Sequence, residues 1–230
     1  MDALVAAAAQ YDVPALLEIL GPGGKDLVSS EDAVLDKKLA IEFATHAKEK
    51  LVIVPDAKNP KRVIVTVGPE DWPLPIPLVE NAGTWSFDTV AGKHEILLRR
   101  IGRNELDAIT VCRGYVEAQN EYVSEPRGDS KVVQYARRVV AGPDKKDGLA
   151  WRDQDGTWRG PIGEKIAAAI VEGYSNKYEP YHGYYFKILK GQGPAAPLGQ
   201  IDYLVRGLMI GGFAMVASPA EYRVTGVKSF

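Results

Sequence analysis

The residues of this chain whose side chains could do chemistry are three histidines, one cysteine and a scatter of serines and carboxylates, and their spacing does not assemble them. His46, His94 and His182 lie far apart, and none has a partner at the short spacing of a metal-ligand pair. Asp153 and Asp155 invite a calcium reading, but an EF-hand loop starting at Asp153 needs glycine where Trp158 stands. Cys112 is the only cysteine, so an intrachain disulfide or a cysteine-based metal site is excluded. Between Ile109 and Val116 in an amphipathic run, its thiol reads as a small apolar side chain. Ser29, Ser30, Ser86 and Ser218 lack the flanking glycines of a nucleophile elbow. GPGGKD at 21–26 has Asp26 where a phosphate loop needs Ser or Thr, and it follows a helix, not a strand. GQGPAA at 191–196 leads into Pro197 with no helix opening, so it is no dinucleotide fingerprint. The sequence therefore assigns no catalytic, cofactor-binding or metal residue, and the balance leans away from an enzyme. Four residues are candidates for binding: Trp72 in a proline-rich stretch, Arg103 beside a predicted helix break, and His182 and Tyr184 in an aromatic run.

The elements that would carry these residues read as two α+β units. Met1–Tyr11 is an alanine-rich helix, and Asp12 with Pro14 starts another that stops at Gly21. Ser30 caps a third, Glu31 to about Lys48, with Val34, Leu35, Leu39, Ile41 and Phe43 available for burial. Leu51–Val54 and Arg62–Val67 read as strands about a turn at Asn59-Pro60. In DWPLPIPLVE three prolines alternate with Leu74, Ile76 and Leu78, which predicts an edge strand or strap with its apolar side chains on one side. Asn81-Ala82-Gly83 turns the chain into a strand over Thr84–Phe87. This order suits helices on one face of a small antiparallel sheet, an arrangement similar in element order to nuclear transport factor 2-like or cystatin-like cones. Such cones often enclose a pocket.

Asp88 is expected to cap a helix ending near Ile101, with Gly102 in the left-handed conformation and Asn104 capping the next helix in a box with Asp107. The boundary between units falls there, at 1–101 and 102–230. Leu106, Ile109, Cys112 and Val116 step by three or four as the expected buried stripe, with Tyr115 and Tyr122 flanking it. A short helix near Val133–Ala141, a hairpin at WRDQDGTWRG and a helix over Ile162–Glu172 follow. The remainder is β-rich: Tyr181–Leu189, Ile201–Val205, Leu208–Ala217 and Val224–Phe230.

With 28 basic and 30 acidic residues the chain offers no charge excess to attract nucleic acid or an anionic membrane. The Arg99, Arg100 and Arg103 cluster is offset by Glu95, Glu105 and Asp107. No apolar run reaches the roughly 18 residues of a membrane span. The segments DWPLPIPLV, WSFDTVAGKHEIL, RRIGRNEL, YVEAQNEY, KKDGLAW, YHGYYFKIL and IGGFAMVASPAEYRVTGVKSF resemble a bacterial family known as domain of unknown function 2950, from about Leu20 onward. That resemblance implies an exported protein, periplasmic or associated with the outer envelope, with a signal or lipoprotein segment ahead of a start in mid-helix and a further strand-like segment after Phe230. It carries no catalytic residues. A weaker likeness joins Ala118-Gln119-Asn120-Glu121-Tyr122 and the later Gly183-Tyr184-Tyr185-Phe186 to the helix-on-sheet order of type IV pilin-like globular domains. The resulting expectation is an envelope protein acting by binding or assembly, with an envelope protein or small ligand as partner and no cofactor. The alternative is a small-ligand binder or enzyme using a pocket in the first unit.

Overall fold

The computed structural model describes residues 1–21, 23–29, 33–126, 131–142, 145–163, 166 and 180–230. The chain is a mixed α+β protein of N-terminal helices, one long helix and antiparallel strands, and it divides into two compact units, Met1–Arg99 and Arg100–Phe230.

In the first unit, α1 (Asp2–Gln10) ends where Tyr11 turns left-handed, φ 51°. The N–H of Ala15 donates to Asp12 Oδ1 (3.1 Å), and that cap with Pro14 in the first turn starts α2 (Val13–Leu20), which stops at Gly21. Lys25–Val28 forms one turn of helix, α3. Helix α4 covers Ala33–Glu49, and the expected Ser30 cap lies outside the described residues. Its apolar residues are less buried than the sequence suggests: Val34 is 83% exposed, and Leu39 and Ile41 are exposed as well. The helices bury Leu4, Ala8, Leu16, Leu20 and Ala44 together as one core.

Strand β1 (Leu51–Asp56) and β2 (Asn59–Val67) form a hairpin, and the turn is Ala57-Lys58, two residues earlier than expected. Asp56 Oδ1 accepts from the N–H of Lys58 (2.9 Å), the local bond that favours this turn. The proline stretch is a strap that touches β2 twice. At one end β3 (Trp72–Pro73) pairs with Thr66–Val67; at the other β4 (Leu78–Asn81) pairs with Arg62–Val63 and with β5 (Thr84–Phe87). Pro75 and Pro77 fall between the two pairings, where no ladder donor is needed. The alternation places Ile76 in the helical core and Leu74 and Leu78 beside it. Ala82 and Gly83, both at positive φ, close the β4–β5 hairpin.

Helix α5 is continuous from Thr89 to Tyr122, 34 residues, and Gly102 is not at positive φ. The expected break is therefore absent. A helical glycine costs only about 1 kcal/mol, and Ile101 and Ala108 are buried on either side of it. The cap at the start stands: the N–H of Ala91 donates to Asp88 Oδ1 (3.0 Å). The second set of capping residues does something else. Asn104 donates to Thr225 O (2.9 Å), Glu105 accepts from the N–H groups of Val227 and Lys228, and Asp107 pairs with His182. The buried face of α5 in the second unit is Ala108, Val111, Tyr115, Ala118 and Tyr122, a stripe rotated from the expected one, so Leu106 is 67% exposed and Val116 is exposed too. Arg99 does pair with Glu95 (2.8 Å), but Arg100 donates to Val224 O.

That face packs on β8 (Tyr184–Leu189) and β13 (Ala214–Pro219), an antiparallel pair contributing Tyr184, Phe186 and Ala217 to the core. The other described strands of this unit also pair in twos. Trp151–Arg152 (β6) meets Trp158–Arg159 (β7) across the expected hairpin, Gly191–Gln192 (β9) meets Ile201–Asp202 (β10), and Leu204–Val205 (β11) meets Leu208–Met209 (β12). No helix forms at 133–141. Tyr135 bridges to Met209 and Val140 to Ala150, and wholly buried Gln119 holds the segment by accepting from Ala136 N (2.8 Å) and donating to Ala136 O (2.8 Å). Val224–Phe230 is not a regular strand, although Phe230 and Ala217 exchange both backbone hydrogen bonds. The expected helix at 162–172 lies, apart from Ile162, Gly163 and Ile166, outside the described residues.

Candidate functional site

Within the first unit the helices and the strap leave a cavity of about 720 Å³ between them. Its floor is apolar and comes from four elements: Leu4 and Ala8 of α1, Leu16 and Leu20 of α2, Val67 of β2 and Ile76 of the strap. One stripe of α4 walls it, because Asp36, Leu39, Ala40, Phe43, His46 and Glu49 recur at three- and four-residue steps. The mouth lies among exposed residues, with Leu39, Trp72 and Ile96 as its apolar edge.

A short loop completes the mouth. Gly68, at φ 75°, donates its N–H to His46 O (3.2 Å) in the last turn of α4 and to Lys50 O (3.0 Å) just beyond it. The chain then turns through Pro69 and Glu70, both on the cavity, to Asp71 at φ 53°. Lys50 binds Asp71 at 2.7 Å and fixes the turn from which Trp72 emerges. Arg99 lies 5.1 Å from the centroid of the Trp72 ring and donates to Pro73 O (2.8 Å), so the indole is held from one side. Helix α5 approaches closely at Gly92, where an added Cβ would lie 2.8 Å from Ile76 Cγ1.

Of the four residues singled out from sequence, Trp72 lines this cavity and the other three belong to the second unit. Tyr184 is fully buried there, its hydroxyl donating to Lys228 O (2.8 Å). Burial first, and then the Glu105 carboxylate, push its phenol above the usual value, so it serves as a neutral donor. A Cβ at Gly226 would collide with its ring. His182 occupies a two-residue turn with Gly183, both at positive φ. Its Nδ1 meets Asp107 Oδ2 at 2.5 Å and its ring stacks on Tyr181 (centroids 4.2 Å apart), which ties the turn to α5. Arg103 is exposed on α5. These three do not converge on the cavity.

The residues that sequence reasoning missed are the walls and mouth: Glu42, His46, Glu49, Gly68 and Glu70. None of them carries a motif, and the one available signal is the mixed apolar and acidic stripe of α4. Among the described residues no group of three or more His, Cys, Asp or Glu side chains is arranged to hold a metal ion. No described helix is long and apolar enough to cross a membrane.

The family described as protein of unknown function (DUF2950) matches residues 1–230. The chain belongs to that family. The match takes in α1 and the start of α2, ahead of the point near Leu20 where the likeness read from sequence begins. No curated protein and no solved structure is similar enough to count as a match, so neither the nuclear transport factor 2-like nor the pilin-like order has a solved relative behind it.

Proposed function

We propose that this protein binds a small, largely apolar ligand in the cavity of its first unit, and that it acts in the bacterial envelope by holding or presenting that ligand, not by transforming it. The observation that carries the reading is the cavity itself. Its volume of about 720 Å³ falls within the roughly 300–1,000 Å³ of small-molecule sites, and its buried lining residues are apolar. Had the helices and the strap met in solid packing, no ligand reading would remain. The envelope location is supported by the family resemblance, and separation of periplasmic from cytoplasmic fractions of the native cell tests it.

Titration of the full chain with the neutral fluorophore N-phenyl-1-naphthylamine tests the binding. A saturable rise in fluorescence is expected with one site per chain. Ala40→Phe, which fills the wall, and Leu39→Trp, which narrows the mouth at an exposed position, should each abolish it while thermal unfolding stays cooperative. Signal that survives both substitutions contradicts the reading.

A second reading, assembly with another envelope protein through the second unit, has one observation in its favour. Ile109, Cys112, Val116 and Phe230 line a shallower groove of about 390 Å³ along the exposed side of α5. Retention of the native complex size in a Val116→Glu variant would count against it.

A further inference from the structure

We infer that the occupant of the first-unit cavity is an amphiphile with an apolar body and a cationic head, an inference that rests on the binding role proposed for that cavity. Apolar floor and charged mouth are separated in space. The floor residues Leu4, Ala8, Leu16, Leu20, Val67 and Ile76 are all buried. The ionisable side chains that line the cavity besides Tyr11 are Asp36, Glu42, His46, Glu49 and Glu70, all exposed or half-buried. Four are carboxylates, and no lysine or arginine is among the lining residues.

Several cations of this unit are held in ion pairs, while Lys37 and Lys48 of α4 are exposed. Lys50 binds Asp71 at 2.7 Å, Arg99 binds Glu95 at 2.8 Å and covers Trp72, and Lys93 binds Asp26 at 2.6 Å. Lys38 stands 3.8 Å from Glu42 in an exposed pair, which offsets that carboxylate only in part. Glu49, at the end of α4, and Glu70, on the Gly68–Asp71 loop, form no ion pair among the described residues. A ligand whose apolar part fills the floor therefore brings its head among carboxylates. An ammonium there gains a modest attraction, whereas a carboxylate or sulfate head meets like charge, and both effects are screened by salt because these carboxylates reach solvent.

Displacement of N-phenyl-1-naphthylamine by three probes of equal chain length tests this: decyltrimethylammonium, decanol and decanoate, each below its micelle concentration. The ammonium is expected to displace the fluorophore at about tenfold lower concentration than decanoate, the sum of a few exposed ion-pair contributions. Decanol should fall between them. In a Glu49→Gln, Glu70→Gln variant the gap should shrink below about threefold while displacement by decanol is unchanged, and added salt should shrink it in the wild type. Equal displacement by all three probes, or tighter binding of decanoate, overturns the cationic-head inference and leaves the cavity reading standing. Displacement that is indifferent to both Ala40→Phe and Leu39→Trp overturns the two together.

Discussion

Gln119 shows how much of the second unit hangs on single polar side chains. It is completely buried, and its amide exchanges two hydrogen bonds with the backbone of Ala136 and donates a third to Tyr115 Oη (2.9 Å). Gln119→Leu keeps the volume but leaves the Ala136 N–H and C=O without partners. About 2–4 kcal/mol of unfolding free energy should be lost, since each orphaned buried group costs about 1–3 kcal/mol; urea denaturation reads the value. Tyr184 works the same way on a smaller scale. Because its folded value is raised, its contribution is complete below the ordinary phenol value of 10.0 and is lost as pH climbs through the folded value. Tyr184→Phe should remove about 1 kcal/mol at neutral pH and flatten the alkaline limb of a stability–pH curve. Cys112, its thiol pushed up by burial, should react with iodoacetamide at pH 8 several-fold more slowly than in the urea-unfolded chain. Of these residues, the sequence identified Cys112 as a packing thiol and placed Tyr184 in a strand. The burial of Gln119 was not legible, because it follows from a partner segment, Val133–Ala141, that was expected to be helical and is not.

At the scale of elements, local signals were readable where they are satisfied locally. Asp12 and Asp88 cap the helices they precede, Gly21 stops α2, and Ala82-Gly83 closes a hairpin. They misled where tertiary partners compete for the same groups. Asn104 and Asp107 look like a capping box, yet they and Glu105 bond to the segment between His182 and Lys228, and α5 runs on through Gly102. Two glycine substitutions separate the cases. No atom lies within 4 Å of a Cβ built at Gly102, so Gly102→Ala should stabilise by about 0.5–1 kcal/mol and raise the melting temperature. Gly92→Ala should do the opposite. Its methyl would press on Ile76 Cγ1, and overpacking of about 1–3 kcal/mol outweighs the helical gain. Ile76→Ala in the same chain should weaken that penalty, which a double-mutant cycle measures.

For the molecule as a whole, the α+β class follows from element order, and element order is largely written in periodicity and caps; the boundary expected at Gly102 rested on a helix break that is absent. The cavity is of another kind. Leu4, Leu20, Phe43, Val67 and Ile76 are separated by up to 72 positions, and nothing local marks them as facing one space. Proline spacing did announce that Leu74, Ile76 and Leu78 would lie on one side of the strap, but not that empty volume would remain beneath them. The proposed binding role requires that a ligand sits in that volume. The most direct test is methyl-resolved NMR of the full chain, recorded while a neutral apolar probe such as decanol is added. Shifts confined to the methyls of Leu16, Leu20, Val67 and Ile76, saturating at one probe per chain, are the predicted result. Unmoved methyls at these positions, or shifts centred instead on Ile109 and Val116 of α5, would contradict it.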